Sequence, residues 1–322
     1  MIGRFLAVFE PFILMLLGTV VLASLLPARG EMAPVVGYAA DIGIVLLFFL
    51  HGAKLSRDAI LSGLRNWRLH LAVLAVTFVA FPVFGLGLTA LPFVTGPLAA
   101  GLLFLTLLPS TVQSSIAFTA IARGNVAAAV CSASFSNLLG ILVTPALVAL
   151  LMNVSGSGGI SIESIQAIVL QLLVPFVAGH LLRPWIGAWV TWRKAMLTVV
   201  DRGSILLVVY SAFGAAVVKG LWTKVSIGDL ILIGFLCTAL LAFVLALTFA
   251  VARLMKLPRE DAIVLQFCGS KKSLASGVPM AGVLFPPAQV GVILLPVMLF
   301  HQLQLIACAI IARRYGASAP PA

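Results

Sequence analysis

The chain has 322 residues, of which 62% are apolar and only 9% charged, and its mean hydropathy is +1.21. Nine acids and twenty bases cannot clothe a soluble surface of this size, so the composition is that of an integral membrane protein. The net charge of +11 is therefore no sign of nucleic-acid binding, because the basic residues gather between apolar runs, which is how membrane topology is encoded.

A helix needs roughly 17 to 25 apolar residues to cross a hydrocarbon core about 30 Å thick. In chain order such runs lie near 9 to 27, 36 to 53, 70 to 91, 98 to 121, 126 to 152, 165 to 186, 203 to 218, 229 to 252, 261 to 284 and 289 to 312. They predict an all-α integral membrane fold with ten transmembrane helices. The first run has Glu10 and Pro11 at its start and no small-residue cleavage pattern before Arg29, so it reads as a span and not as a signal peptide. Fifteen Lys and Arg residues, from Arg4, Lys54, Arg57 and Arg65 to Arg313 and Arg314, fall on one side of this map. Only Arg29, Lys219 and Lys224 fall on the other. The bias predicts cytoplasmic termini in a plasma membrane, a bacterial inner membrane.

Two matches at one offset divide the chain. Asp41 opens DIGIVLLFFL and Asp201 opens DRGSILLVVY, 160 residues later; the same offset sets Ser110 against Ser270. Residues 1–160 and 161–322 are thus expected to be two five-helix repeats. An odd number of spans per repeat makes the two inverted in topology, a plan found mainly in secondary transporters.

The fourth and ninth runs hold equivalent places in the halves, and each loses its apolar character at the centre. In the fourth, Pro109 heads a polar stretch of Ser110, Thr111, Gln113, Ser114 and Ser115; in the ninth, Gly269 precedes Ser270, Lys271, Lys272 and Ser273. Pro109 and Gly269 are break points, since proline lacks a donor and glycine admits unusual backbone angles. Unwound backbone is tolerated at membrane depth only where protein or a watery cavity receives it. The prediction is one interrupted helix per site, the two meeting inside the protein.

Lys271 and Lys272 sharpen that expectation. A charged lysine at a span centre costs about 2.5 to 3.5 kcal/mol by insertion scales. At least one of the two must therefore face the interior, lose its charge or find an acceptor. Adjacent helical positions point about 100° apart, so one is expected to enter the site and the other to take a different course. Asp41 and Asp201 are candidate charge partners.

Enzyme motifs are absent: there is no phosphate-binding G-x-x-x-x-G-K-[ST] loop, no H-E-x-x-H and no paired C-x-x-C. His51, His70, His180 and His301 are scattered, and Cys131, Cys237, Cys268 and Cys308 read as packing residues within spans. An ATP-driven pump is disfavoured and no cofactor motif is present, so energy must come from an ion gradient, or the protein equilibrates its substrate.

LLPSTVQSS, ARGN and TPAL in the first half, with GSKKSLASGVPM in the second, resemble the bile acid:sodium symporter superfamily over nearly the whole chain. They are most similar to its divergent branch of sodium-dependent transporters with a lysine-serine motif in span nine. The resemblance implies a panel of spans 1, 2, 6 and 7, a core of spans 3–5 and 8–10 with crossed broken helices, and alternating access by motion of one against the other. It also implies symport of a small organic anion.

In the better-known branch two sodium ions sit behind the crossover. Carried over residue by residue, Ser114 matches a serine ligand, Ser115 stands at an asparagine, Thr77 and Lys271 at glutamines, and Phe267 at the glutamate that balances the charge. Ala129 and Ala133 replace hydroxyls. The resemblance thus implies that an ammonium of Lys271 or Lys272 replaces a sodium ion among Ser114, Ser115 and unwound carbonyls. Coupling to protons, no coupling, direct binding of an anion by the lysines, and a regulatory protein that no longer transports are the other readings.

Overall fold

A computed structural model describes residues 11–54, 66–152 and 166–318. Arg4, Arg57, Arg65, the start of the first apolar run and the repeat boundary at 160 and 161 lie outside the described residues. In chain order the helices longer than four residues are α1 (Pro11–Leu25), α2 (Met32–Lys54), α3 (Trp67–Thr89), α4 (Gly96–Leu107), α5 (Gln113–Ile121), α6 (Val126–Leu151), α7 (Gln166–Trp192), α8 (Lys194–Val218), α9 (Ile227–Leu254), α10 (Arg259–Gly269), α11 (Leu274–Leu284) and α12 (Pro287–Ala317). Among the described residues there is no strand, and seven helices are long and apolar enough to cross a membrane. The protein is an all-helical, multi-pass membrane protein.

The fourth and ninth apolar runs are each two helices. Those helices have 12 and 9 residues in the fourth and 11 and 11 in the ninth. At about 1.5 Å per residue, none of the four reaches across a core of about 30 Å alone.

The chain forms two compact units. One comprises Met1–Leu55, Asn153–Ser226 and Val278–Leu294; the other comprises Ser56–Met152, Ile227–Gly277 and Leu295–Ala322. In the first, α2 and α7 touch backbone to backbone. A Cβ added to Gly52 would run into the carbonyl of Phe176, and one added to Gly179 would run into that of Phe49. Mutual glycines let two helices approach where lipid supplies no hydrophobic drive. α8 begins at Lys194, well before the apolar run near 203, because its polar first turns have partners: Asp201 pairs with Lys54 of α2, and Leu197 packs with Leu50, Ala53 and Val190.

The second unit buries Leu69, Val73, Ala128, Ala129, Ala133, Val264, Leu265 and Cys268 in one cluster, and Ala122, Ile263, Phe267, Cys308 and Ala312 in another. Small residues on α6 bring α10 close. Within α3, Val76–Ala80 widens into a π-turn just before Pro82, and in α7 of the first unit Val169–Leu173 does so just before Pro175. One cause serves both: a proline has no N–H to give and crowds the carbonyl four residues back, so the ladder slips by one residue ahead of it.

Candidate functional site

Within the second unit the two helix breaks meet. The amide of Ser273 donates to the carbonyl of Pro109 at 2.8 Å, and the Ser110 hydroxyl donates to the carbonyl of Cys268 at 2.6 Å. Thr111 Oγ1 donates to the carbonyl of Lys272 at 3.0 Å, and Ser115 Oγ to that of Phe267 at 3.0 Å. Carbonyls at a helix end have no partner in their own helix. Hydroxyls from the fourth run thus close the end of α10. Ser273 caps α11, its Oγ accepting from the Ser276 amide at 3.1 Å. Asn137 of α6 ties the breaks together: its Nδ2 donates to the Ser110 carbonyl at 2.7 Å, and its Oδ1 accepts from Ser276 Oγ at 2.8 Å.

Lys272 is 1% exposed, and its ammonium donates to three carbonyls: Thr77 at 2.8 Å, Thr106 at 2.8 Å and Leu108 at 2.7 Å. Each acceptor is free for a reason written in the local sequence. In the π-turn the Phe81 amide donates to Val76, so the next donor in that register, for Thr77, would be the nitrogen of Pro82, which has no hydrogen. Thr106 lies in the last turn of α4, where the Ser110 amide that a continuing helix would send back donates to Ser136 Oγ at 2.9 Å. Leu108 lies past the helix end, and the Leu107 carbonyl between them accepts from Thr144 Oγ1 at 2.8 Å. The end of α4 is the negative pole of its dipole, a favourable place for a cation. The Phe81 ring, 4.1 Å from Nζ, closes the remaining side with its electron-rich face.

Three carbonyls call for three donors, which an ammonium has and a neutral amine lacks. The three acceptors match the ammonium form of Lys272. Its backbone is held too. Gln304 of α12 accepts from the Lys272 amide at 2.8 Å and donates to its carbonyl at 2.9 Å, and the same Nε2 meets His301 Nδ1 at 2.8 Å.

Lys271, 0% exposed, takes another direction. Its Nζ donates to Ser114 Oγ at 3.3 Å and lies 4.3 Å from the Phe118 ring centre and 5.6 Å from that of Phe267. Ser115, one residue on, serves α10 and not an amine.

The other residues singled out from the sequence have different surroundings. Thr77 presents its carbonyl to Lys272, while its hydroxyl donates to Val73 of its own helix at 2.8 Å. Gln113 is exposed at the first turn of α5, Gly269 ends α10, and Ser270 donates to the Gln266 carbonyl. Asp41 is exposed on α2, and Asp201 pairs with Lys54. The lysines of the break are held by carbonyls, a hydroxyl and rings instead of these carboxylates. Gln304 and Asn137 escaped the sequence reading, although an amide inside each apolar run, at HQLQ and SFSN, was the visible signal.

Oxygens that could have held a sodium ion are engaged: Ser114 by Lys271, the carbonyls of Thr77, Thr106 and Leu108 by Lys272, and Ser115 by α10. With the lysines in place this donor set does not fit a sodium ion. Paired helix breaks that meet inside a multi-pass membrane protein define a transporter and not an enzyme.

The comparisons narrow this class. Residues 10–317 match the model of the SBF-like CPA transporter family, and the chain belongs to that family. It is similar to the Escherichia coli K12 protein named "Putative symporter YfeH", 53% identical over 310 residues, which are 96% of this chain and 93% of that one. An uncharacterized protein of Pseudomonas aeruginosa is 56% identical over 309 residues, 95% of this chain and 93% of its own. Sodium/bile acid cotransporter 7 of Rattus norvegicus is 28% identical over 272 residues, 82% of this chain and 79% of its own.

Proposed function

We propose that this protein is a secondary transporter of a small organic anion, working by alternating access, in which the Lys272 ammonium takes the place of a sodium ion. The observation that carries the reading is the set of three carbonyls within 2.8 Å of Lys272 Nζ. An ammonium and a sodium ion are both compact cations that bind oxygen, but the ammonium is tethered and does not leave with a gradient. Its charge also needs no glutamate at Phe267. The names of its relatives, a symporter and sodium/bile acid cotransporters, support an amphipathic carboxylate as cargo.

In this reading the chain crosses a bacterial inner membrane ten times with both termini in the cytoplasm. Residues 1–160 and 161–322 form inverted repeats, and spans 1, 2, 6 and 7 act as a panel against a core of spans 3–5 and 8–10. The polar crossover of Pro109, Ser110, Thr111, Gln113, Gly269, Ser270 and Ser273 is where the cargo is handled.

Uptake by the purified protein in proteoliposomes tests this, with trace radiolabelled cholate and a panel of smaller carboxylates as probes. Accumulation above protein-free vesicles, equal in sodium and in choline, is the expected result. Strict sodium dependence that survives in Lys272→Met would sink the replacement. No uptake of any probe would sink the transport reading.

A further inference from the structure

The two buried amines differ in the partners that hold them, and the difference assigns them different tasks. Lys272 cannot give up a proton without stranding a buried carbonyl, since all three of its hydrogens are taken by acceptors that cannot donate in return. Lys271 has one hydrogen-bond partner among the described residues, the Ser114 hydroxyl, and two ring faces. A hydroxyl is both donor and acceptor and rotates to suit. With the ammonium it accepts; when the nitrogen passes its proton to water and keeps the electron pair, it turns and donates to that pair. Ser114 stays bonded to the nitrogen in both states, and an aromatic face tolerates both.

We propose that Lys271 is the exchangeable proton site of the core and Lys272 its fixed charge. Resting on the transport reading, this makes the proton the coupling ion, one for each cycle, bound on the Lys271 amine.

The surroundings of Lys271 suit that task. Its titratable neighbours are the thiols of Cys308 on α12 and Cys268 on α10, with the His301 imidazole also within electrostatic reach. α5 carries no charged residue, and neither does α6, whose one thiol is Cys131. On α3, His70 meets Ser132 Oγ at 2.7 Å. α9 keeps Asp229 and Arg253 at its two ends. The acids of α10 sit in its first turn, where Asp261 accepts from Asn66 at 2.7 Å and Asn125 at 2.9 Å, and Arg259 donates to the Tyr315 carbonyl. No carboxylate among these pins the Lys271 amine in its charged form.

The test needs no cargo. The full chain in lipid bilayers, grown with 13C,15N-lysine, presents seven lysines to solid-state NMR, and the adjacent pair is assigned by its backbone connectivity. Between about pH 6 and pH 10 the Lys271 side-chain signal should pass from ammonium to amine while that of Lys272 stays ammonium. Lys271→Met, with Lys271→Arg in reserve should the first misfold, should remove the moving signal and leave the fixed one. A Lys271 signal fixed as ammonium throughout, or a Lys272 signal that moves with it, overturns the inference. The two readings fail separately. If Lys271 titrates and no solute moves in the uptake assay, the proton site stands and the transport reading falls; if solute moves while Lys271 holds a fixed ammonium signal, the reverse is true.

Discussion

The side-chain amide of Gln304 pairs with the backbone of Lys272 in both directions, 2.8 Å to the amide and 2.9 Å to the carbonyl, as a neighbouring strand would. It holds in place the unwound residue whose side chain reaches the carbonyls of Thr77, Thr106 and Leu108. Leucine at 304 would fill the space and leave the Lys272 amide without an acceptor. A buried unsatisfied polar group costs about 1 to 3 kcal/mol. Gln304→Leu should therefore lower the melting temperature in detergent. Gln302→Leu, two residues away, is the contrast, because Gln302 Nε2 is already buried without a partner among the described residues. Its removal should be neutral or stabilising, and equal losses from the two changes would contradict this.

Truncating Lys272 exposes the value of its cage. Lys272→Ala leaves three carbonyls facing inward with no donor, the arrangement that binds a monovalent cation. The variant should melt lower than the wild type and regain part of the loss in sodium chloride but not in choline chloride, since a ligand that binds only the folded state stabilises it by mass action. The wild type should melt alike in both salts. Lys272→Arg should not rescue, because a planar guanidinium does not fit a cage built for a compact cation. An alanine variant indifferent to sodium would show that the cage is not a cation site.

Pro82 and Lys272 act on the same oxygen. Pro82→Ala supplies an N–H that can take the Thr77 or Phe78 carbonyl and restore the ordinary helix register. Proline inside a helix costs about 3 kcal/mol, so the variant is expected to melt at least as high as the wild type. Lys272 then loses an acceptor, and uptake of the probes should fall. Unchanged uptake together with a lower melting temperature would run against the role given to the π-turn.

The α2–α7 contact makes a separate prediction in the other unit. Gly52→Ala or Gly179→Ala forces a methyl into a facing carbonyl and must part the helices, so either change should destabilise by more than about 1 kcal/mol. Gly203→Ala on α8 meets nothing within 4 Å and should stabilise by about 0.5 to 1 kcal/mol through backbone entropy alone. Thermal melts of the three variants separate the two effects, and a loss at Gly203 would refute the assignment.

Much of this molecule was legible in its sequence, and each omission has a cause. Hydropathy counts residues against the thickness of a bilayer, so the long apolar helices emerged directly, and so did the two runs interrupted at Pro109 and Gly269. α8 was foreshortened because Asp201 and Arg202 lower the local hydropathy, whereas in the fold Asp201 meets Lys54. Composition and chain order alone determined that the protein lives in a membrane, that two of its apolar runs are broken, and that at least one of the two lysines at one break must find a partner other than lipid. Which partners they found was decided by tertiary structure, because the acceptors are backbone carbonyls. Every residue carries a carbonyl, so sequence does not distinguish the ones that are free. Thr77, Thr106 and Leu108 become acceptors only when Pro82 withholds a hydrogen, α4 stops and Lys272 is brought from 195, 166 and 164 residues away in the chain to the place where all three point.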